Sequence, residues 1–217
     1  MNRIIRYLPL LALSLTPITA HAQNAIEAYM GLGSAWDKAA GGGIDNNSGA
    51  SCTVASSSSS CQATPSLSGV FMNLGGGIMF KPKFGVGAEF AITPAKMDYG
   101  PLQMRQSFTD INGIYEPVTR KRWGLQLQGG IGAAKSSFSY TSTSCVGTAV
   151  CTSQSQAIGA TNHFQVHAGA GLQVFVTDHI FVRPQFDLHY VKNFTDQFGH
   201  SAVPMVMFTV GYSSGRL

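Results

Sequence analysis

Eight ionisable side chains sit at alternate positions within short apolar-rich segments: Glu27, Glu89, Asp110, His163, His167, Arg183, Asp187 and His189. Carboxylates interleaved with imidazoles and a guanidinium suit a buried network in which each charge finds a partner. They also suit a narrow pore that responds to pH, because imidazole titrates near neutrality. They do not make a hydrolytic triad, which needs a nucleophile within reach of a base that a third group orients. His200-Ser201 with Asp196 nearby comes nearest, yet adjacent residues on a strand point to opposite faces. We therefore expect no catalytic residue and no enzymatic activity.

The four cysteines, Cys52, Cys61, Cys145 and Cys151, have neither CxxC spacing nor neighbouring His ligands, so no metal site and no cofactor are expected. Of the three possible pairings, the local one joins Cys52 to Cys61 and Cys145 to Cys151. Each bridge then staples one loop, and both need an oxidising compartment. Gly41-Gly42-Gly43 and Gly75-Gly76-Gly77 lack a following Lys-Ser/Thr and a helical pattern. They are expected as a flexible loop and as close-packed strand positions rather than phosphate loops. The run Ser56 to Ser60 is expected at an exposed, flexible loop tip.

The elements that must hold these side chains are strands. Ile26, Ala28, Met30 and Leu32 alternate with Glu27, Tyr29, Gly31 and Gly33, and Phe164, Val166, Ala168, Ala170, Leu172 and Val174 alternate with His163, Gln165, His167, Gly169, Gly171 and Gln173. The same period of two runs through 70–80, 84–93, 123–132, 180–190 and 205–212, and more weakly through 104–116, which makes eight strands each with one oily face. The joining segments alternate in length. Lys81-Pro82-Lys83, Pro117 to Lys121 and Thr177-Asp178-His179 are short, whereas 37–66, 97–103, 139–161 and 193–201 are mostly longer.

Composition narrows the class. Charged residues are 11% of 217, under half the roughly 25% of soluble domains, so a charge-rich disordered chain is excluded. The opposite faces carry Gly, Gln, His, Glu, Asp and Arg rather than apolar residues, which fits a narrow polar interior with the oily face toward lipid. The expected fold is all-β, an eight-stranded antiparallel up-and-down transmembrane barrel, closed because an open edge in lipid would leave backbone groups unpaired. A soluble lipocalin-like barrel is the alternative, and it would turn the apolar faces inward. Trp36, Tyr99, Trp123, Tyr190 and Tyr212 fall near strand ends, where barrels carry aromatic girdles.

Residues 1–22 have the form of a secretory signal: Arg3 and Arg6, the apolar run Leu8 to Thr19, then Ala20-His21-Ala22. Two prolines in so short an apolar run argue against a retained helical anchor, so cleavage near Ala22 is expected and 23–217 forms the barrel domain. Removing Arg3 and Arg6 takes the formal charge from +4 to about +2, which gives no reason to expect nucleic acid. The expected location is the outer membrane of a Gram-negative-type bacterium.

The whole mature chain resembles the small OmpA-like, porin-family outer-membrane β-barrel proteins. The resembling stretches are Val86-Gly87-Ala88-Glu89-Phe90, Pro94 to Tyr99, Phe108 to Tyr115, Gly129-Gly130-Ile131-Gly132, Asn162-His163-Phe164 and Phe181-Val182-Arg183-Pro184. The resemblance implies a barrel surrounded by outer-membrane lipid, inserted by the barrel assembly machinery, with no agreed activity and no catalytic residues. Such barrels usually finish on an aromatic residue, whereas here Ser213 to Leu217 follows Tyr212. With only eight strands the lumen has room for side chains alone, so the expected role is structural or surface-interactive, with a polar plugged lumen. The alternatives are a narrow passive channel and, from another class, an outer-membrane lipid-modifying enzyme. No appended periplasmic domain is expected, and the partner of the outward loops is not legible.

Overall fold

Alternating segments become strands where one face meets lipid and the other meets the interior. The computed structural model describes residues 25–37, 42–45, 48, 50–53, 60–99, 102–146, 150–196, 198 and 200–214. In chain order the strands are β1 (Ala25–Ala35), β2 (Gly42–Asp45), β3 (Ser51–Thr53), β4 (Cys61–Ala63), β5 (Val70–Lys81), β6 (Phe84–Ile92), β7 (Met97–Tyr99), β8 (Leu102–Thr119), β9 (Trp123–Val146), β10 (Val150–Phe175), β11 (Ile180–Val191) and β12 (Ala202–Ser213). A 3-10 turn, Phe194–Asp196, lies between the last two.

Eight of these close into a ring in the order β6-β5-β1-β12-β11-β10-β9-β8, and β6 pairs back onto β8 to complete it. All the pairs are antiparallel, so the expected barrel is what forms. The sidedness excludes the soluble alternative. Met30 is 64% and Ile111 68% exposed, while Gln165 on the opposite face is 0% and Arg183 1% exposed. Apolar surface faces outward and polar side chains are buried, the inverse of a water-soluble barrel.

The strands run further than their apolar alternation. The expected loop 139–161 is instead the outer part of a long hairpin, because β9 continues to Val146 and β10 begins at Val150. Its sequence, rich in Ser and Thr, shows no oily face, so periodicity is silent there, while Thr, Tyr and Val still favour strand. The segment 97–103 contains β7, hairpinned onto β8. The strand expected over 104–116 runs on through Pro117 to Thr119, with a register break between Tyr115 and Val118 that accommodates a proline unable to donate.

The longest loop also has structure. Gly42 and Gly43, expected as flexible, belong to β2, the centre of a small sheet ordered β3-β2-β4. Its outer strands are joined by the Cys52–Cys61 disulfide. The expected flexible tip, Ser56 to Ser60, lies outside the described residues except for Ser60, which donates to Asp45 Oδ2 at 2.5 Å. The Cα register faces Cys145 with Cys151 across the hairpin, but the side chains of this second expected bridge lie outside the described residues. Residues 1–22 also lie outside them.

Because the first bridge closes a loop on the small sheet rather than on the ring, its roughly 3 kcal/mol of chain-entropy stabilisation belongs to that loop. A Cys52→Ser, Cys61→Ser double variant should keep the barrel's unfolding free energy in urea within about 0.5 kcal/mol of wild type. Limited proteolysis should cut within 37–66 much faster. A large fall in the midpoint would show that the loop sheet supports the ring.

Candidate functional site in the barrel interior

Inward positions on each strand stack into layers. At the short-turn end, Glu27 accepts hydrogen bonds from Gln173 Nε2 at 2.9 Å and Gln126 Nε2 at 3.5 Å. Gln126 Nε2 also donates to Glu116 Oε1 at 3.2 Å, and Gln126 Oε1 accepts from Arg183 Nη1. The Arg183 guanidinium lies over the Tyr29 ring, 4.0 Å from its centroid, a cation–π contact strengthened by exclusion of water. One amide therefore links two carboxylates to the buried cation.

The next layer centres on Glu89 and Asp187. Glu89 accepts from Tyr29 Oη at 2.8 Å and from Asn73 Nδ2 at 3.2 Å. Gln185 Nε2 reaches Asp187 at 2.7 Å and Glu89 at 3.5 Å, and Gln128 Nε2 reaches Asp187 at 3.1 Å. His167 places Nε2 2.9 Å from Asp187 Oδ1 and Nδ1 3.2 Å from Asn112 Oδ1. Both partners are oxygens, an arrangement satisfied when the imidazole donates from both nitrogens.

Above it, the His189 ring stacks on His167 with centroids 4.5 Å apart, and its Nδ1 is 3.8 Å from Asp110 Oδ2. Asp110 Oδ1 accepts from Gln165 Nε2 at 2.7 Å.

Space for these large groups comes from glycines facing them across the ladder. Gly75 is paired with Tyr29, Gly169 with Asp187 and Gly211 with Phe181, and a Cβ at each would collide with that side chain.

Toward the long-hairpin end the interior turns apolar. Phe71, Met104, Phe108, Met205 and Met207 from the strands meet Leu67, Phe194 and Phe198 from the connections in one buried cluster. Phe194 and Phe198 stack at 4.4 Å, Phe71 and Phe108 approach to 5.8 Å, and Phe108 lies 4.9 Å from the His189 ring. Asn193 enters this turn with φ of 59°, a left-handed conformation that Asn tolerates better than most residues.

Seven of the eight expected lumen residues thus lie in one connected interior: Glu27, Glu89, Asp110, His167, Arg183, Asp187 and His189. His163 is on the same face but stands apart, its ring edge-on to Phe194 at 5.8 Å and its Nδ1 3.2 Å from Lys192 O. Sequence reasoning missed Glu116 and the apolar cluster. Glu116 has the parity of Asp110 and Asn112, but Pro117 made the segment look finished. Tyr99, expected in an outer girdle, instead packs beside Phe138 at 6.2 Å, whereas Trp36, Trp123, Tyr190 and Tyr212 are exposed near strand ends. His200 is exposed in the last connection. Among the described residues no three His, Cys, Asp or Glu side chains are placed to hold a metal ion.

Residues 8–213 match the family model for the outer membrane protein beta-barrel domain. The chain belongs to that family. As an outer-membrane barrel it is similar in fold to Ail, the attachment invasion locus protein of Yersinia pestis, solved in complex with the heparin analogue sucrose octasulfate. The identity is 15%, the TM-score 0.51, and the match covers 88% of this chain and 98% of that one. Also similar is the N-terminal β-barrel domain of Pseudomonas aeruginosa OprF, at 11% identity and TM-score 0.46, covering 88% and 96%. OprG of Pseudomonas aeruginosa matches at 12% and 0.46, covering 90% and 98%. No curated protein matches in sequence. Membership of this family places the chain in the bacterial outer membrane.

Proposed function

We propose that this outer-membrane barrel is a structural and surface-interaction protein: its lumen is filled by its own side chains, it catalyses nothing, and its long hairpins stand at the cell exterior. In such barrels the short turns are periplasmic and the long loops extracellular. One observation carries the reading. From Glu27 to Phe198 the inner face is occupied first by the amide-linked carboxylates and then by the aromatic cluster. At the periplasmic end, the space among Glu27, Glu116, Gln173 and Phe175 is about 20 Å³, room for roughly one water. On this reading residues 1–22 are removed on export, the assembly machinery inserts the barrel, and outer-membrane lipid surrounds it.

The second reading is a narrow channel. Asn73 Oδ1, Gln165 Oε1, Gln185 Oε1 and Arg183 Nε and Nη2 are buried without a protein partner, and such groups call for water. A continuous file of water, wide enough for a partly hydrated ion, would open a conducting path. Reconstitution into planar bilayers decides between the two. The filled lumen gives no discrete current steps across the range from pH 5 to 8, where histidine changes charge. Reproducible steps would replace the plug with the channel.

A further inference from the structure

Outside the barrel, beyond the lipid-facing belt, lies a concave surface that the interior network does not use. It is an open groove of about 550 Å³ lined by Lys96, Arg105, Lys135, Ser139, Ser155 and Ile158, among others. On β8 and β9 the outward positions run in order. Ile131 and Ala133 face lipid, Lys135 follows on the same face, and Arg105 is paired with Ser137 one step further out. Successive same-face residues are about 6.8 Å apart along a strand. The cations therefore stand where the hydrocarbon ends and headgroups begin.

The three cations lack carboxylate partners. Among the described residues the two contacts of a basic side chain with a carboxylate within 4 Å are interior His–Asp contacts. Asp98, the nearest acid in register, opposite Gln103 on β8, pairs with none of the three. Lys96 is fixed instead by neutral groups, donating to Ser139 Oγ at 2.8 Å and Ser155 Oγ at 2.7 Å, so its ammonium is anchored across β9 and β10. Arg105 spends Nη2 on Pro94 O at 3.0 Å, and its Nε is buried with no partner at all. A guanidinium with Nη1 uncommitted, beside two ammonium groups, matches a phosphate, whose oxygens accept several charge-assisted hydrogen bonds at once. The exposed Ile158 adds an apolar wall.

We propose that this surface docks the phosphate-bearing headgroup of an outer-leaflet glycolipid, with Arg105 and Lys135 binding the phosphate and Lys96 bounding the site. The volume lies within the range of pockets that take ligands of this size. The headgroup source follows from depth: the site adjoins Ile131 and Phe164, which face lipid, so its occupant is held in the same leaflet.

The test uses the full chain in nanodiscs, with bisphosphorylated lipid A and its phosphate-free counterpart as probes and native mass spectrometry as readout. Only barrel that shows the heat-dependent gel shift of a folded ring is scored. Wild type should retain the bisphosphorylated lipid about tenfold more strongly than an Arg105→Gln, Lys135→Gln double variant. Lys135→Gln alone removes an exposed side chain and should show part of that loss. A Lys121→Gln, Arg122→Gln variant in the opposite turn should match wild type. Equal retention by wild type and the double variant, or of phosphorylated and phosphate-free lipid, would overturn the proposal. Displacement of the lipid by millimolar inorganic phosphate would overturn the lipid as occupant. Channel currents play no part in this readout, so it fails or succeeds independently of the closed lumen.

Discussion

Replacing Arg183 with Gln should lower the unfolding free energy by about 3 to 5 kcal/mol, measured by urea titration of the barrel in lipid vesicles. Arg183 is 1% exposed and is the one guanidinium within a layer that also holds Glu27 and Glu116. Its Nη1 donates to Gln126, whose amide holds both carboxylates, and its face covers Tyr29. Gln in its place removes the cation and leaves the acids buried without a counter-charge. A compensating change exposes the cause. Adding Glu27→Gln should recover part of the loss, so the two substitutions will be non-additive by more than about 0.5 kcal/mol. If Arg183→Gln costs under about 1 kcal/mol, the lumen is wet enough to solvate the acids, and the filled interior is wrong.

Phe108→Ala should cost a similar amount, about 3 to 5 kcal/mol, in the same titration. Phe108 is fully buried between the aromatic cluster and the histidine stack, 5.8 Å from Phe71 and 4.9 Å from His189. Truncation loses the transfer energy of the ring and leaves a hole that strands locked in a closed ladder cannot collapse. Phe108→Leu keeps more of the volume and should cost markedly less. A small loss with Ala would mean that water already fills that level.

Much of this was legible from residue order alone. Wherever a strand separates lipid from lumen, as at Phe164 to Val174, the period of two named both faces, and seven of the eight expected charges lie in one network. The limits of that signal are physical. At 139–146 and 150–162 the sequence carries Ser, Thr and Gln without regard to face, so no alternation marks the strands. Glu116 is the last residue of the expected strand, and its inward place is plain only once β8 continues past Pro117 to Thr119. The aromatic cluster was hidden because Phe194 and Phe198 come from a connection folded back into the barrel mouth, and local spacing carries no trace of such a return.

The long hairpin also fixes how deep the molecule sits. Beyond Gln165, among the described residues, β10 pairs with β9 alone, since its pairing with β11 starts at that residue. Peptide groups on the outer margin of that two-stranded hairpin have to stand at a hydrated level. Hydrocarbon offers them nothing, and each group stranded there would cost several kcal/mol. The barrel is thus stopped from sinking by its main chain, at the level where Lys135 faces Asn162. Substituting the side chains of the oily belt can weaken its hold on lipid without moving that waterline.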